Sequence, residues 1–233
     1  MFARLLLSAA LILTPLAGVG QEAAPIIAYS SRILPAQARH AMVAAQEAEA
    51  ARIGLDVMQR GGNAVDAAVA IGFALAVTLP RAGNLGGGGF MLAHRAADRK
   101  THVIDFRETA PAATTRDVFL NADGRADPMK SRASGLAVGV PGTVAGLLLA
   151  HERYGSGRIS RAELMAPAIR LARDGLVVSE DLADSLPVAA ARLGRYPSSQ
   201  KIFMPAGAVL REGERLVQAD LAATMETIAR DGA

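Results

Sequence analysis

The segment Asp105-Phe106-Arg107-Glu108 has the clearest potential for chemistry in this chain. The residues before it alternate in polarity as in a β-strand, which places the arginine at a strand end. A guanidinium can hold a carboxylate through two parallel hydrogen bonds, which a lysine ammonium does less well. Arg107 is therefore a candidate for binding a small-molecule carboxylate. The residues alone favour the alternative, an internal ion pair with Asp105 or Glu108.

A glycine loop over residues 83–89 precedes Phe90. Four consecutive glycines could cradle a phosphate, but a phosphate loop needs Gly-Lys-Ser/Thr at the start of a helix. Here Phe90 begins a predicted strand, so nucleotide binding is not expected. Two interpretations stay equally open: the glycines allow close backbone packing, or their bare backbone lines a small pocket.

The remaining polar residues suggest no metal or cofactor chemistry. The histidines, His40, His94, His102 and His151, lack metal-ligand spacing, and the chain has no cysteine. We therefore expect no metal site and no cofactor. Asp66 is better explained as a residue at the start of a helix than as a general acid.

The elements around the arginine follow from periodicity and capping. Strands are predicted over Phe90 to His94 and Thr101 to Arg107, joined as a hairpin. A helix over Glu47 to Arg60 ends at a glycine pair. The next helix, Ala64 to Val77, is capped by Asn63 with Asp66 and is apolar on nearly every face, so it must be buried on several sides.

Downstream, turn residues and caps predict four further helices. The first runs from Pro141 to Tyr154. The second begins with a capping box of Ser160 and Glu163 and ends at Gly175. Ser179 caps the third, and Asp220 caps the last, which follows a β-like stretch over residues 209–217.

Composition limits the class of protein. Hydrophobic residues make up 51% of the 233 residues but aromatic ones only 4%, so the core must consist of Ala, Leu, Val and Ile. This favours helices packed closely against a sheet, in one large domain. The net charge is +3 and the basic residues are scattered, which argues against nucleic-acid binding.

The first 20 residues have the organisation of a secretory signal peptide. Arg4 precedes an apolar run from Leu5 to Leu13, and small residues precede a predicted cleavage before Gln21. That run is shorter than the roughly 20 residues of a membrane-spanning helix. We expect a mature chain that lacks a membrane span and is periplasmic or secreted.

Several strings together resemble one family in order and spacing: IGLDVMQRGGNAVDAAVA, LGGGGFML, DFRETAP, GVPGTVAGL and PAIRLARDG. They resemble the large-subunit portion of the γ-glutamyltranspeptidases, or glutathione hydrolases, across residues 21–233. The resemblance implies an α+β fold, a layered αββα sandwich of the N-terminal-nucleophile hydrolase type that is incomplete in this chain. It also implies that Arg107, in the matching DFRE motif, binds the α-carboxylate of the γ-glutamyl group. This reverses the preference for an internal ion pair.

The resemblance further implies a self-cleaving precursor, a small subunit from that same precursor as partner, and glutathione and other γ-glutamyl compounds as substrates. The family nucleophile is the threonine at the new N-terminus, whose own amine acts as the base. Thr114-Thr115 is followed by Arg-Asp-Val-Phe instead of the family pattern of histidine, aromatic and serine. We therefore expect no catalytic residue within these 233 residues and no activity of the chain alone. The alternatives are a family acylase for glutaryl-type amides and a catalytically inactive structural or binding fragment.

Overall fold

Helices dominate the part of the chain that a computed structural model describes, residues 35–233. The predicted signal peptide lies outside these residues. Residues 40–233 form one compact unit. Its eight α-helices are α1 (Ala48–Gln59), α2 (Ala64–Thr78), α3 (Pro128–Ala133), α4 (Thr143–Tyr154), α5 (Arg161–Asp174), α6 (Glu180–Leu193), α7 (Pro197–Phe203) and α8 (Ala219–Asp231). Between residues 35 and 233, none of the helices combines the length and apolarity needed to cross a membrane.

Two antiparallel two-stranded sheets accompany the helices. One pairs β1 (Phe90–Arg95) with β2 (Lys100–Asp105), and the other pairs β3 (Leu176–Val177) with β4 (Arg215–Leu216). The predicted mixture of helix and sheet is confirmed. Each described sheet has only two strands, and the layered sandwich stays a prediction.

Helix α2 is the centre of the core, as its apolar sequence predicts. It packs against α1, α4 and α5, and Phe73 is fully buried. Small residues allow this close packing: the Cα of Gly72 lies against Leu147 of α4, where an added Cβ would come within 2.9 Å of the leucine Cδ1. The scarcity of large aromatic side chains is thus matched by short distances between helices.

The start of α2 is held by the predicted cap. The Asn63 side chain accepts hydrogen bonds from the Val65 and Asp66 amides, and Asp66 Oδ2 accepts from the Asn63 amide at 2.9 Å. Asp66 is fully buried, and its Oδ2 also accepts from the Ser156 amide at 3.0 Å. The cap therefore joins the start of α2 to the turn that follows α4.

The β1–β2 hairpin has one covered and one open face. Met91 pairs with Ile104 on the covered face, which packs on the core. Leu92 pairs with Val103 on the other face, where these side chains are 70% and 64% exposed. The residues of β2 therefore alternate as predicted. A continuous apolar surface is left open within the described part of the chain.

The C-terminal half confirms two caps and corrects two predictions. Ser160 and Glu163 form the predicted capping box of α5, and Ser179 caps α6. The β-like stretch over residues 209–217 is wrong in extent, since only Arg215–Leu216 pairs as a strand. Asp220 does not cap α8: the N-cap position is Gln218, whose side chain donates instead to the Val77 carbonyl at 2.9 Å.

Candidate functional site

Arg107 lies two residues beyond the end of β2. The predicted strand is therefore two residues too long, because β2 ends at Asp105. Beyond β2, Phe106 still pairs with Gly89 through two backbone hydrogen bonds, and the Asp105 Oδ1 accepts a hydrogen bond from the backbone N–H of Arg107 at 3.0 Å. The carboxylate next to the arginine thus fixes its backbone.

The guanidinium of Arg107 forms no ion pair with any residue in the described range. Neither Asp105 nor Glu108 comes within 4.0 Å of it in a salt bridge, and the residue is exposed. The internal ion pair that the isolated residues favour is therefore wrong for this structure. All five N–H donors of the guanidinium are free of carboxylates within residues 35–233, as a binding role would require.

Arg107 lines a cavity of ≈370 Å³. One wall is the segment after β2, and the other is the turn before α4; Thr109 and Val140 pair across them through two backbone hydrogen bonds. The lining combines polar and apolar surface, and consists of Arg107, Glu108, Thr109, Ala110, Pro111, Thr114, Phe119, Leu136, Ala137, Val138 and Gly139. This arrangement can accept a small molecule that presents one carboxylate and a short aliphatic chain.

Thr114 lies in the wall of the same cavity, although the sequence interpretation treats it as an ordinary loop residue. Its backbone N–H donates to the Pro111 carbonyl at 2.9 Å, within a turn. An internal threonine has no free α-amine, so it lacks the base that an N-terminal threonine carries. Its position therefore adds contact surface and supplies no activated nucleophile.

The described contacts of the glycine loop are those of close backbone packing, the first of its two interpretations. The cavity that contains Arg107 is not lined by residues 83–89. Gly89 instead pairs with Phe106, whose N–H donates to the Gly89 carbonyl at 3.0 Å. A Cβ at Gly88 would come within 2.8 Å of the Arg107 Cα, closer than real Cβ atoms come. The bare backbone of the loop lets it lie directly against the arginine segment.

The other candidate side chains have structural partners. Within residues 35–233, no cluster of three or more His, Asp or Glu residues could hold a metal ion. His102 stacks against Tyr154 with ring centroids 4.7 Å apart, and His151 Nε2 lies 2.9 Å from the Ile159 carbonyl. Asp66 caps α2, as the sequence predicts.

The comparisons with known proteins bear on this arrangement. A family model described as gamma-glutamyltranspeptidase matches residues 50–233. The chain belongs to this family. The matched region includes the hairpin, Arg107, the glycine loop, helices α2 to α8 and all but the first two residues of α1.

The glutathione hydrolase proenzyme of Escherichia coli (strain K12) is 50% identical over 199 residues, which cover 85% of this chain and 34% of that protein. The crystal structure of Helicobacter pylori gamma-glutamyltranspeptidase superimposes with a TM-score of 0.81 at 42% identity, covering 85% of this chain and 56% of that one. A cephalosporin acylase from Bacillus halodurans gives a TM-score of 0.69 at 26% identity, covering 88% of this chain and 40% of that one. The chain spans about a third of the length of the curated relatives that it matches.

Sequence reasoning missed the cavity wall over residues 136–139 and the side chain of Asn84. The wall follows α3, a short helix capped by Asp127 with Pro128 at its first position. Asp127 and Pro128 are a local start signal for a helix, although no element is predicted over this stretch. Asn84 contacts Thr143, 59 residues away, and no local pattern encodes such a pairing.

Proposed function

We propose that this chain forms the large-subunit portion of a γ-glutamyltranspeptidase proenzyme. The complete protein would cleave γ-glutamyl amides such as glutathione and transfer the glutamyl group to water or an amino acid. Arg107 carries the proposal, because it is exposed, lines a cavity and has no carboxylate partner among the described residues. Membership of the family supports it.

Arg107 would bind the α-carboxylate of the γ-glutamyl group. Its guanidinium presents two parallel N–H donors, and the carboxylate presents two acceptors at matching separation. Charge-assisted hydrogen bonds of this kind fix the orientation of the substrate as well as its charge. The γ-carbonyl, three carbons from the α-carbon, would then be held at a fixed distance from the arginine.

The nucleophile in this proposal is the threonine that self-cleavage exposes at the start of the small subunit. Its hydroxyl attacks the γ-amide while its own α-amine accepts the proton. The described residues would then contribute substrate binding and the scaffold, with the hairpin as part of a larger layered αββα sandwich. Residues 1–20 would direct export to the periplasm or beyond, and residues 21–233 would form the large-subunit portion.

Steady-state kinetics of the full-length proenzyme with a γ-glutamyl anilide test this function. Arg107→Lys keeps the charge and loses the paired donors. We expect kcat/KM to fall at least about 30-fold, which corresponds to a loss of about 2–5 kcal/mol in binding free energy. Arg116→Lys is the matched control, because Arg116 is an exposed arginine paired with the neighbouring Asp117. An unchanged kcat/KM in Arg107→Lys, with a lowered melting temperature, would make Arg107 a structural residue.

A glutaryl-type acylase is the second candidate, since the fold is also similar to that of the cephalosporin acylase. A glutaryl amide carries the same terminal carboxylate as a γ-glutamyl amide but lacks its α-amine. Arg107 can bind both, so it does not distinguish them. Preference for the glutaryl anilide over the γ-glutamyl anilide would favour the acylase.

A further inference from the structure

The side chain of Asn84 joins the glycine loop to the start of α4. Its Oδ1 accepts two hydrogen bonds, from the Gly87 backbone N–H at 2.8 Å and from the Thr143 hydroxyl at 2.7 Å. Its Nδ2 donates to the Ala82 carbonyl at 3.1 Å. The amide of one half-buried residue thus makes three hydrogen bonds, one of them to a distant helix.

The loop in turn caps that helix. The Gly87 carbonyl accepts from the Gly142 and Thr143 backbone N–H groups, at 2.8 and 3.0 Å. These donors would otherwise lack partners at the helix start, since Gly142 occupies the N-cap position without a side-chain cap. The loop and the start of α4 are therefore one hydrogen-bonded unit that depends on Asn84 and Thr143.

This unit lies directly against the backbone of Arg107. Gly88 packs so closely that a Cβ there would come within 2.8 Å of the Arg107 Cα and 2.7 Å of the Glu108 N. A Cβ at Gly142 would overlap the carbonyl oxygen of Phe106. With both glycine backbones against residues 106–108, a shift of the unit must move the backbone of the arginine.

We propose that Asn84, together with Thr143, is a positioning residue for Arg107. The inference rests on the proposed function, because it concerns the same carboxylate-binding site. Asn84 itself is outside the lining of the cavity and acts through the loop. Loss of its acceptor oxygen would let the loop and the start of α4 separate, and the guanidinium would lose its alignment with the substrate carboxylate.

Paired substitutions in the full-length proenzyme separate positioning from general destabilisation. Asn84→Leu removes both accepted hydrogen bonds at similar size, whereas Asn84→Asp keeps them but replaces the Nδ2 donor to the Ala82 carbonyl by a carboxylate oxygen. Thr143→Ser keeps the hydroxyl donor, whereas Thr143→Val removes it and keeps the shape of this buried side chain, which is 8% exposed. Misplacement of a substrate-binding group by about 1 Å can lower rates about 100-fold.

We expect Asn84→Leu and Thr143→Val to raise KM for the γ-glutamyl anilide about 10- to 100-fold. We expect kcat to change less than about threefold and Thr143→Ser to stay near the wild type. Asn84→Asp should raise KM less than Asn84→Leu, because it keeps both accepted hydrogen bonds but loses the donor to the Ala82 carbonyl. If Asn84→Leu does not yield folded protein, the Thr143 pair makes the same test at an isosteric position. An unchanged KM in both disruptive variants, or a fall in kcat alone, overturns the inference.

A double-mutant cycle with Arg107→Lys identifies the route of the effect. If Asn84 acts through the arginine, Thr143→Val or Asn84→Leu adds little to the KM of Arg107→Lys. Multiplicative effects would show independent action and overturn the inference while the proposed function stands. A wild-type proenzyme without γ-glutamyl turnover would instead overturn the proposed function, and the positioning role with it.

Discussion

Replacing Asp66 by alanine tests the junction between the start of α2 and the turn after α4. The carboxylate is fully buried, and its Oδ2 accepts the Asn63 and Ser156 amides at 2.9 and 3.0 Å. Hydrogen bonds to a charged acceptor contribute about 1.5–3 kcal/mol each. Two of them give a loss of about 3–6 kcal/mol in the free energy of unfolding, because both amides are left without a partner.

Asp66→Asn refines the estimate. One asparagine oxygen can still accept both amides, but its Nδ2 then occupies the position of Oδ1, which lies 3.7 Å from His151 Nε2. His151 Nε2 is already directed at the Ile159 carbonyl, so the new donor has no acceptor there. Asp66 Oδ1 has no hydrogen-bond partner in the wild type either, so the loss comes from the two accepted hydrogen bonds, which become neutral ones. We expect about 1–3 kcal/mol, less than for alanine.

Denaturant unfolding of the full-length proenzyme, with hydrogen exchange on peptides covering residues 61–70 and 150–158, measures these effects. Asp56→Ala is the control, because Asp56 is exposed and pairs with Arg60 at 3.3 Å on the surface of α1. Exchange should accelerate in both peptides for Asp66→Ala and in neither for the control. If Asp66→Ala loses less than about 1 kcal/mol, or exchange changes in one peptide only, the buried carboxylate does not join the two segments.

Two further predictions concern the isolated chain, and a third concerns the capping box of α5. The 233-residue chain alone should release no product from a γ-glutamyl anilide; turnover that persists through purification would direct attention to Thr114. The isolated chain should bind a hydrophobic dye and self-associate through the open hairpin face around Leu92 and Val103, and coexpression of the remaining proenzyme should suppress both; a dye-silent monomer would contradict this. Hydrogen bonds from Ser160 lower the pKa of Glu163 from its ordinary 4.5. The contribution of the ionised Glu163 side chain to folding stability is therefore fully present above pH 4.5, and it is lost as the pH falls through the lowered pKa. The difference in melting temperature between wild type and Glu163→Gln should therefore become smaller as the pH is lowered. A difference that stays constant from pH 3 to 7 would refute this pH-dependent contribution of Glu163.

Local sequence signals predicted most of the secondary structure. The capping boxes of α2 and α5 lie where Asn63 with Asp66 and Ser160 with Glu163 predict them, because a cap joins residues three apart in sequence. Asp220 shows the limit of the same reasoning. An acidic residue in the first turn of a helix resembles a cap in sequence, and only the backbone geometry at Gln218 distinguishes the two.

The site depended on contacts that no local pattern encodes. The sequence places an arginine at a strand end, but whether its guanidinium pairs with Asp105 or Glu108 depends on the side-chain conformations of the folded chain. The Asp105 Oδ1 accepts a hydrogen bond from the backbone N–H of Arg107 and does not contact its guanidinium, which is unpaired within the described range. The contact of Asn84 with Thr143 likewise exists only once the glycine loop and α4 have packed together.

The close fit of Gly88 and Gly142 against residues 106–108 also has an entropic consequence. Ordering the backbone of one residue on ligand binding costs about 1–2 kcal/mol in conformational entropy. Here the glycine backbones already exclude alternative conformations beneath Arg107 before any ligand arrives. A carboxylate bound there would have only the arginine side chain to immobilise, so more of the interaction energy would remain as affinity.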